Sequence, residues 1–135
     1  MKKKLENIVL IDDNPADNFY HTIIIEDCGC SKRITAFESG VEALEYLRSM
    51  ENGAHPHPDL IFLDINMPVM TGWEFLEEYN KLDKGMKAKM VVVMLTTSAN
   101  PDDKQKADNH SDIPQFTNKP LSEELLKEII ENNFN

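Results

Sequence analysis

Residues 59–72 read Asp-Leu-Ile-Phe-Leu-Asp-Ile-Asn-Met-Pro-Val-Met-Thr-Gly. The fold turns on the first half of this stretch. Leu60, Ile61, Phe62 and Leu63 form an unbroken apolar run that ends on one carboxylate, Asp64. A strand wetted on one face alternates apolar and polar residues. A run apolar at every position, bounded here by Pro58 and Pro68, reads as a strand buried on both faces. A charge at the end of such a strand is costly unless something offsets it. Asp64 therefore sits where a buried strand surfaces, and in open α/β sheets that is where ligands bind. Met67-Pro68 then begins a turn, and Thr71-Gly72 opens a helix. Asp64 is the candidate reactive residue.

The pattern repeats on both sides. Residues 8–11 are a second apolar run, ending on Asp12-Asp13. Asn14 caps the helix that follows, with Pro15 at its first position. The spacing predicts Ala16, Phe19, Tyr20, Ile23 and Ile24 as one helical face, and Gly29 as the stop. Residues 33–37 alternate in polarity, as an exposed edge strand does. Ser39 with Glu42 has the spacing of a capping box, and Val41, Leu44 and Leu47 mark the buried face of that helix. Residues 51–58 are a loop containing Gly53. Thr71 with Glu74 is a second capping box, ahead of a helix carrying Trp73, Leu76, Tyr79 and Leu82, which Lys84-Gly85 closes.

Residues 90–95 are the most apolar strand, running into Thr96-Thr97-Ser98. Asn100-Pro101 caps a fourth helix, in which residues 102–110 offer only Ala107 as an apolar side chain. With so little to bury, that helix is expected to be short or loosely held. Residues 113–119 read as a fifth strand ending on Lys119-Pro120. Ser122 caps a last helix with Leu125, Leu126, Ile129 and Ile130 inward and Glu123 and Glu124 at its positive end. Strands and helices that alternate in this way imply a parallel sheet covered on both faces, in one α/β domain over residues 1–135 with no output domain.

Composition narrows the function. The net charge is -10 and the only basic cluster is Lys2-Lys3-Lys4, which argues against a nucleic-acid surface. No apolar run approaches the roughly 20 residues of a membrane span, and no signal-peptide core follows the first residues, so the expected location is cytoplasmic. Cys28 and Cys30 have no second pair with which to build a zinc site and read as reduced structural thiols. His55 and His57 fall in a proline-containing loop, and His21 and His110 have no evident partner.

In a parallel sheet every strand ends on the same edge. That edge collects Asp12, Asp13, Asp64, Thr96 and Lys119. Three carboxylates together repel one another, by about 4 kcal/mol for two unit charges about 4 Å apart at an effective dielectric of 20. A cation removes that cost, and hard oxygen ligands suit Mg²⁺, held by Asp12, Asp13, Asp64 and a backbone carbonyl near Asn66. Lys119 adds an ammonium and Thr96 a hydroxyl. Those are the parts that neutralise a phosphoryl group in transfer. The chain has no Walker-type loop and no evident Ser–His–Asp or Cys–His set. An ionised carboxylate needs no base to attack phosphorus. The expected reaction is phosphorylation of Asp64 itself.

These residues resemble the response-regulator receiver domain of two-component signalling, in its single-domain, chemotaxis-like form. The likeness rests on the acidic pair Asp12-Asp13, on D-I-N-M-P-V-M-T-G from Asp64, on Thr96 and on Lys119 in K-P, in that order. It implies a flavodoxin-like sheet of order 2-1-3-4-5 and a phosphoryl donor that is a histidine kinase or a histidine phosphotransfer protein. It also implies Mg²⁺ on Asp13, Asp64 and the Asn66 carbonyl, with Asp12 acting largely through water. Lys119 would pair with a phosphoryl oxygen and Thr96 would move to bond another. Phe116 would be the switch aromatic that fills the space Thr96 leaves.

Output would pass to an unidentified downstream protein, or phosphate would be relayed onward, from a monomer or weak dimer. The chain would be no enzyme beyond catalysing its own phosphorylation and dephosphorylation. The alternative is a pseudo-receiver, binding partners without phosphate. A haloacid-dehalogenase-like phosphatase wants a second Asp where Asn66 stands, and a flavin module wants a phosphate loop where Asp12-Asp13-Asn14 stands. Two departures from the family are the polar fourth helix and the absence of a Gly-Ala step in residues 108–114. A third is Thr97, at a position that is usually Ala or Gly, and it should narrow access to the phosphoryl site. Thr97→Ala is expected to speed dephosphorylation, and an unchanged decay rate of the phosphorylated protein would count against that role.

Overall fold

The apolar run at residues 60–63 is the centre of the sheet. In the computed structural model Leu60–Asp64 is strand β3, buried at every position. The structure describes residues 5–50, 56, 58–65, 67–82, 91–96, 115–118 and 121–134, with backbone alone at 91–96, 115–118 and 133–134. Strands β1 (Leu5–Ile11), β2 (Ser31–Phe37), β4 (Val91–Thr96) and β5 (Gln115–Asn118) join β3 in a five-stranded sheet of order β2-β1-β3-β4-β5. All four pairings are parallel. This is the flavodoxin-like order that the resemblance implied. β1 begins three residues before the expected Ile8, and β2 is an edge strand whose residues are all half-buried or exposed.

Helices α1 (Pro15–Cys28), α2 (Gly40–Arg48), α3 (Gly72–Asn80) and α4 (Glu123–Phe134) cover the two faces. Successive side chains of a strand point to opposite faces, so β1 and β3 each divide their apolar residues between two cores. Val9, Ile11, Ile61 and Leu63 pack with Leu44, Leu47, Phe75 and Tyr79 of α2 and α3. Ile8, Leu10, Leu60 and Phe62 pack with Ile25 of α1 and Leu126 and Ile129 of α4.

The caps explain where the helices start. Asn14 Oδ1 accepts from the Ala16 N–H at 2.9 Å. Thr71 and Glu74 exchange both hydrogen bonds of a capping box. At α2 only half of the expected box forms: Ser39 Oγ accepts from the Glu42 N–H, but the Glu42 carboxylate meets the Ser39 hydroxyl rather than its backbone. Ser122 Oγ accepts from the Leu125 N–H at the start of α4. Gly29 ends α1 at φ 66°, a left-handed conformation that costs glycine nothing.

Three inward faces differ from the expected ones. In α1 the buried residues are Asn18, His21 and Ile25, while Phe19, Tyr20 and Ile23 are exposed. Val41 of α2 is exposed, with Ala43 inside instead. In α3 Trp73 and Leu82 are only partly buried, and Phe75 fills the core with Leu76 and Tyr79. The expected polar helix at 102–110, the loop at 51–55, Lys2 to Lys4, His55, His57, Gly85 and His110 lie outside the described residues. Among the described residues no helix is long and apolar enough to cross a membrane.

Candidate functional site

The carboxyl ends of β1 and β3 lie side by side because Ile11 registers with Leu63. The next residue on each strand is an aspartate. Asp12, Asp13 and Asp64 each place a carboxylate oxygen within 4.8 Å of the others. Asp12 and Asp64 are buried and Asp13 is half-buried. Three carboxylates this close, two of them out of water, are a donor set for a hard cation.

Local hydrogen bonds set the cluster. The Asn14 N–H donates to Asp12 Oδ1 at 3.0 Å, so the helix cap and the acid are held by one turn. Asn18 reaches back from α1, and its Nδ2 donates to the carbonyls of Asp12 at 2.9 Å and Phe37 at 3.1 Å. It therefore ties the ends of β1 and β2 together. Asn18 Oδ1 is buried without a hydrogen-bond partner. Asn18 and His21 line a narrow crevice shared with Asp12, Asp64, Leu10, Ile11 and Phe62.

His21 holds a second loop. Its Nε2 accepts from the Leu121 N–H at 3.4 Å, across 100 residues of sequence. Leu121 is fully buried and lies two residues after Lys119. Sequence reasoning missed both Asn18 and His21. The signal was their spacing with Ile25, three and then four residues apart, which marks a rival helical face. His21→Leu leaves the buried Leu121 N–H without its acceptor, at a cost of about 1 kcal/mol for so long a bond. Urea denaturation should show that loss, with His21→Gln, which keeps an acceptor, losing less.

The chain leaving β3 is closed tightly. The Gly72 N–H donates to the Ile65 carbonyl at 2.8 Å, and the Met70 N–H to the Pro68 carbonyl at 2.7 Å. The second bond spans a γ-turn centred on Val69, whose φ is 67°. This is the rarer, strained form of that turn, and a β-branched residue makes it costlier. A Cβ on Gly40 would lie 2.8 Å from Met70 Sδ, so the start of α2 packs directly on this loop.

Thr96 is the last residue of β4, one place beyond the Asp64–Leu95 pairing, and its backbone pairs with Asn118. The backbone thus puts Thr96 and the residue before Lys119 on the edge that carries the acids. Phe116 lies in β5, paired with Met94. The side chains of Thr96 and Phe116, and the whole of Asn66, Thr97 and Lys119, fall outside the described residues. Cys28 and Cys30 are free, and the Cys30 thiol is pushed up to about 12 by burial and then by the neighbouring Cys28. It stays protonated at neutral pH, as a structural thiol does.

Comparison with known proteins agrees with this geometry. The chain is 35% identical over 125 residues to a probable methanogenesis regulatory protein of Methanothrix harundinacea, covering 92% of this chain and 78% of that one. It is 28% identical to a two-component response regulator of rice, of which it spans about half the length (49%), over 84% of its own. A crystal structure of a two-component response regulator from Cytophaga hutchinsonii superposes with a TM-score of 0.87 at 31% identity, over 96% of this chain and 97% of that one. The family model described as the response regulator receiver domain matches residues 8–131, and the chain belongs to that family.

Proposed function

We propose that this domain is a phosphoacceptor that takes a phosphoryl group onto Asp64 from a phosphohistidine on a histidine kinase or phosphotransfer protein, with Mg²⁺ as cofactor. The observation that carries the reading is the meeting of Asp12, Asp13 and Asp64 at adjacent strand ends. Asp13 and Asp64, with the Asn66 carbonyl, would hold the ion directly and Asp12 through water. The bound ion supplies positive charge against the phosphoryl oxygens and relieves the repulsion among the acids.

In the step itself an Asp64 carboxylate oxygen attacks phosphorus, a P–O bond forms, the P–N bond breaks and the imidazole leaves. Lys119 neutralises a phosphoryl oxygen, and Thr96 closes on another. The new charge of about -1.5 to -2 biases a two-state element in which Phe116 follows Thr96 inward. Output then passes to a partner protein, or phosphate is relayed onward. Apart from catalysing its own phosphorylation and dephosphorylation, the domain is no enzyme. The reading brings with it a cytoplasmic location, and the free thiols are in keeping with that.

The test is incubation with Mg²⁺ and a small acyl-phosphate donor, followed by intact-mass measurement. The expected result is the mass of one phosphoryl group, mapped to Asp64 and lost when EDTA replaces the metal. No gain under any donor would overturn the reading in favour of a pseudo-receiver.

A further inference from the structure

A groove of about 320 Å³ lies between α2 and α3, on the opposite face of the sheet from α1 and α4. Val41, Val69 and Met70 give it apolar walls, and Glu45, Glu77 and Glu78 stand around it with Arg48. A fourth carboxylate in the lining, Glu74, is committed to the cap of α3. Glu78 shares its charge with the exposed Lys81 at 3.0 Å, a pair that offsets little in water.

We propose that this groove docks a basic amphipathic helix of a partner protein. The partner inserts an apolar side chain between Val41 and Val69 and sets Lys or Arg against Glu45 and Glu77. Apolar exposure is the first argument. Val69 is 93% exposed and Val41 41%, both on the groove wall. Asn or Gly would hold the Val69 backbone at φ 67° with less strain, so among the described residues nothing favours an exposed Val there. A partner's apolar side chain gives it something to pack against. The volume suits one or two aliphatic side chains, as when a helix lays anchors into a groove.

Charge selects the occupant. A second copy of this chain in a two-fold contact would bring Glu45 and Glu77 against a rim whose carboxylates outnumber its one described cation, Arg48, in a protein of net charge -10. A basic helix meets complementary charge, and its binding weakens as salt screens the rim.

The probe is a synthetic peptide of about 18 residues, long enough to hold a helix, with leucines on one face and lysines on the flanks. A second peptide of equal charge carries serine in place of leucine. Amide shifts are followed on the whole 135-residue chain at low and high salt. The leucine peptide should shift Val41, Val69, Met70 and Glu77 and bind less tightly in salt. Val69→Asn, which tolerates the turn, should keep the fold and weaken binding about tenfold or more. Equal binding by the serine peptide, shifts centred elsewhere, an unchanged affinity for Val69→Asn, or a dimer closed through this groove would each overturn the proposal. The assay needs no phosphorylation, so its outcome is separate from that of the phosphoacceptor reading.

Discussion

Asp64→Asn is expected to abolish phosphorylation and to raise the thermal stability of the metal-free protein. The two effects have one origin. An amide in place of the carboxylate has no ionised oxygen to attack phosphorus, so no phosphoryl mass should appear at any donor concentration. The same change removes one of three carboxylates whose oxygens lie within 4.8 Å of one another. Two unit charges at that separation cost about 3 to 4 kcal/mol at an effective dielectric of 20, and the exposure of Asp13 reduces this. A net gain on the order of 1 kcal/mol is expected in the metal-free state. Mg²⁺ tests the converse. A ligand at about 100 times its dissociation constant stabilises the native state by about 2.7 kcal/mol. Wild-type protein should show a rise of that kind in a thermal scan, and Asp64→Asn should show far less. A variant that still takes up phosphate, or responds to Mg²⁺ as the wild type does, would remove Asp64 from both roles.

Phe75→Ala should be among the most damaging substitutions in the core. Phe75 is fully buried in the layer between the sheet and the two helices α2 and α3, stacked on Tyr79 at a centroid distance of 5.8 Å. Its ring also approaches Gly40, where an added Cβ would lie 3.3 Å away. Among the described residues Gly40 of α2 lies close against the ring, so filling the space calls for a shift of α2. Truncating such a ring costs about 3–5 kcal/mol, against a total stability of about 5–15 kcal/mol for a domain. The midpoint of thermal unfolding should fall by roughly 10–20 °C. Phe75→Leu, which keeps much of the volume, should lose less than half as much. A small loss for Phe75→Ala would mean that the α2–α3 layer is not packed as described.

Phe75 also shows where periodicity stops being informative. Trp73, Leu76, Tyr79 and Leu82 make an acceptable helical stripe, and so do Phe75, Leu76 and Tyr79. The two differ by a small rotation of the helix. Only the position of Gly40 and Met70 beneath α3 decides between them. The α1 helix is the stronger case. Its sequence offers an apolar stripe through Phe19 and Ile23, yet the structure turns that stripe to solvent, with Phe19 68% exposed. Asn18 and His21 go inside because the Asp12 carbonyl and the Leu121 N–H take their hydrogen bonds from these side chains at the sheet edge, where Asn18 also adds a second bond to the Phe37 carbonyl that the Asp12 N–H already reaches. Buried backbone polar groups are costly when unmet, and no apolar side chain can meet them.

What the chain determines alone is therefore what arises over short range. Unbroken apolar runs at residues 8–11 and 60–63 can be satisfied only by a strand covered on both faces, and each run ends on its acid. The caps at Asn14, Thr71 and Ser122 satisfy N–H groups within three residues, so they too are legible locally. The tertiary structure decided what depends on partners distant in sequence. It turned α1, gave His21 its bond to Leu121, set Gly40 against Met70 and brought Asp64 to the acidic pair. A hydrophobic pattern records how much surface a segment must bury. It carries no record of which hydrogen-bonding groups the rest of the chain will leave unpaired beside it.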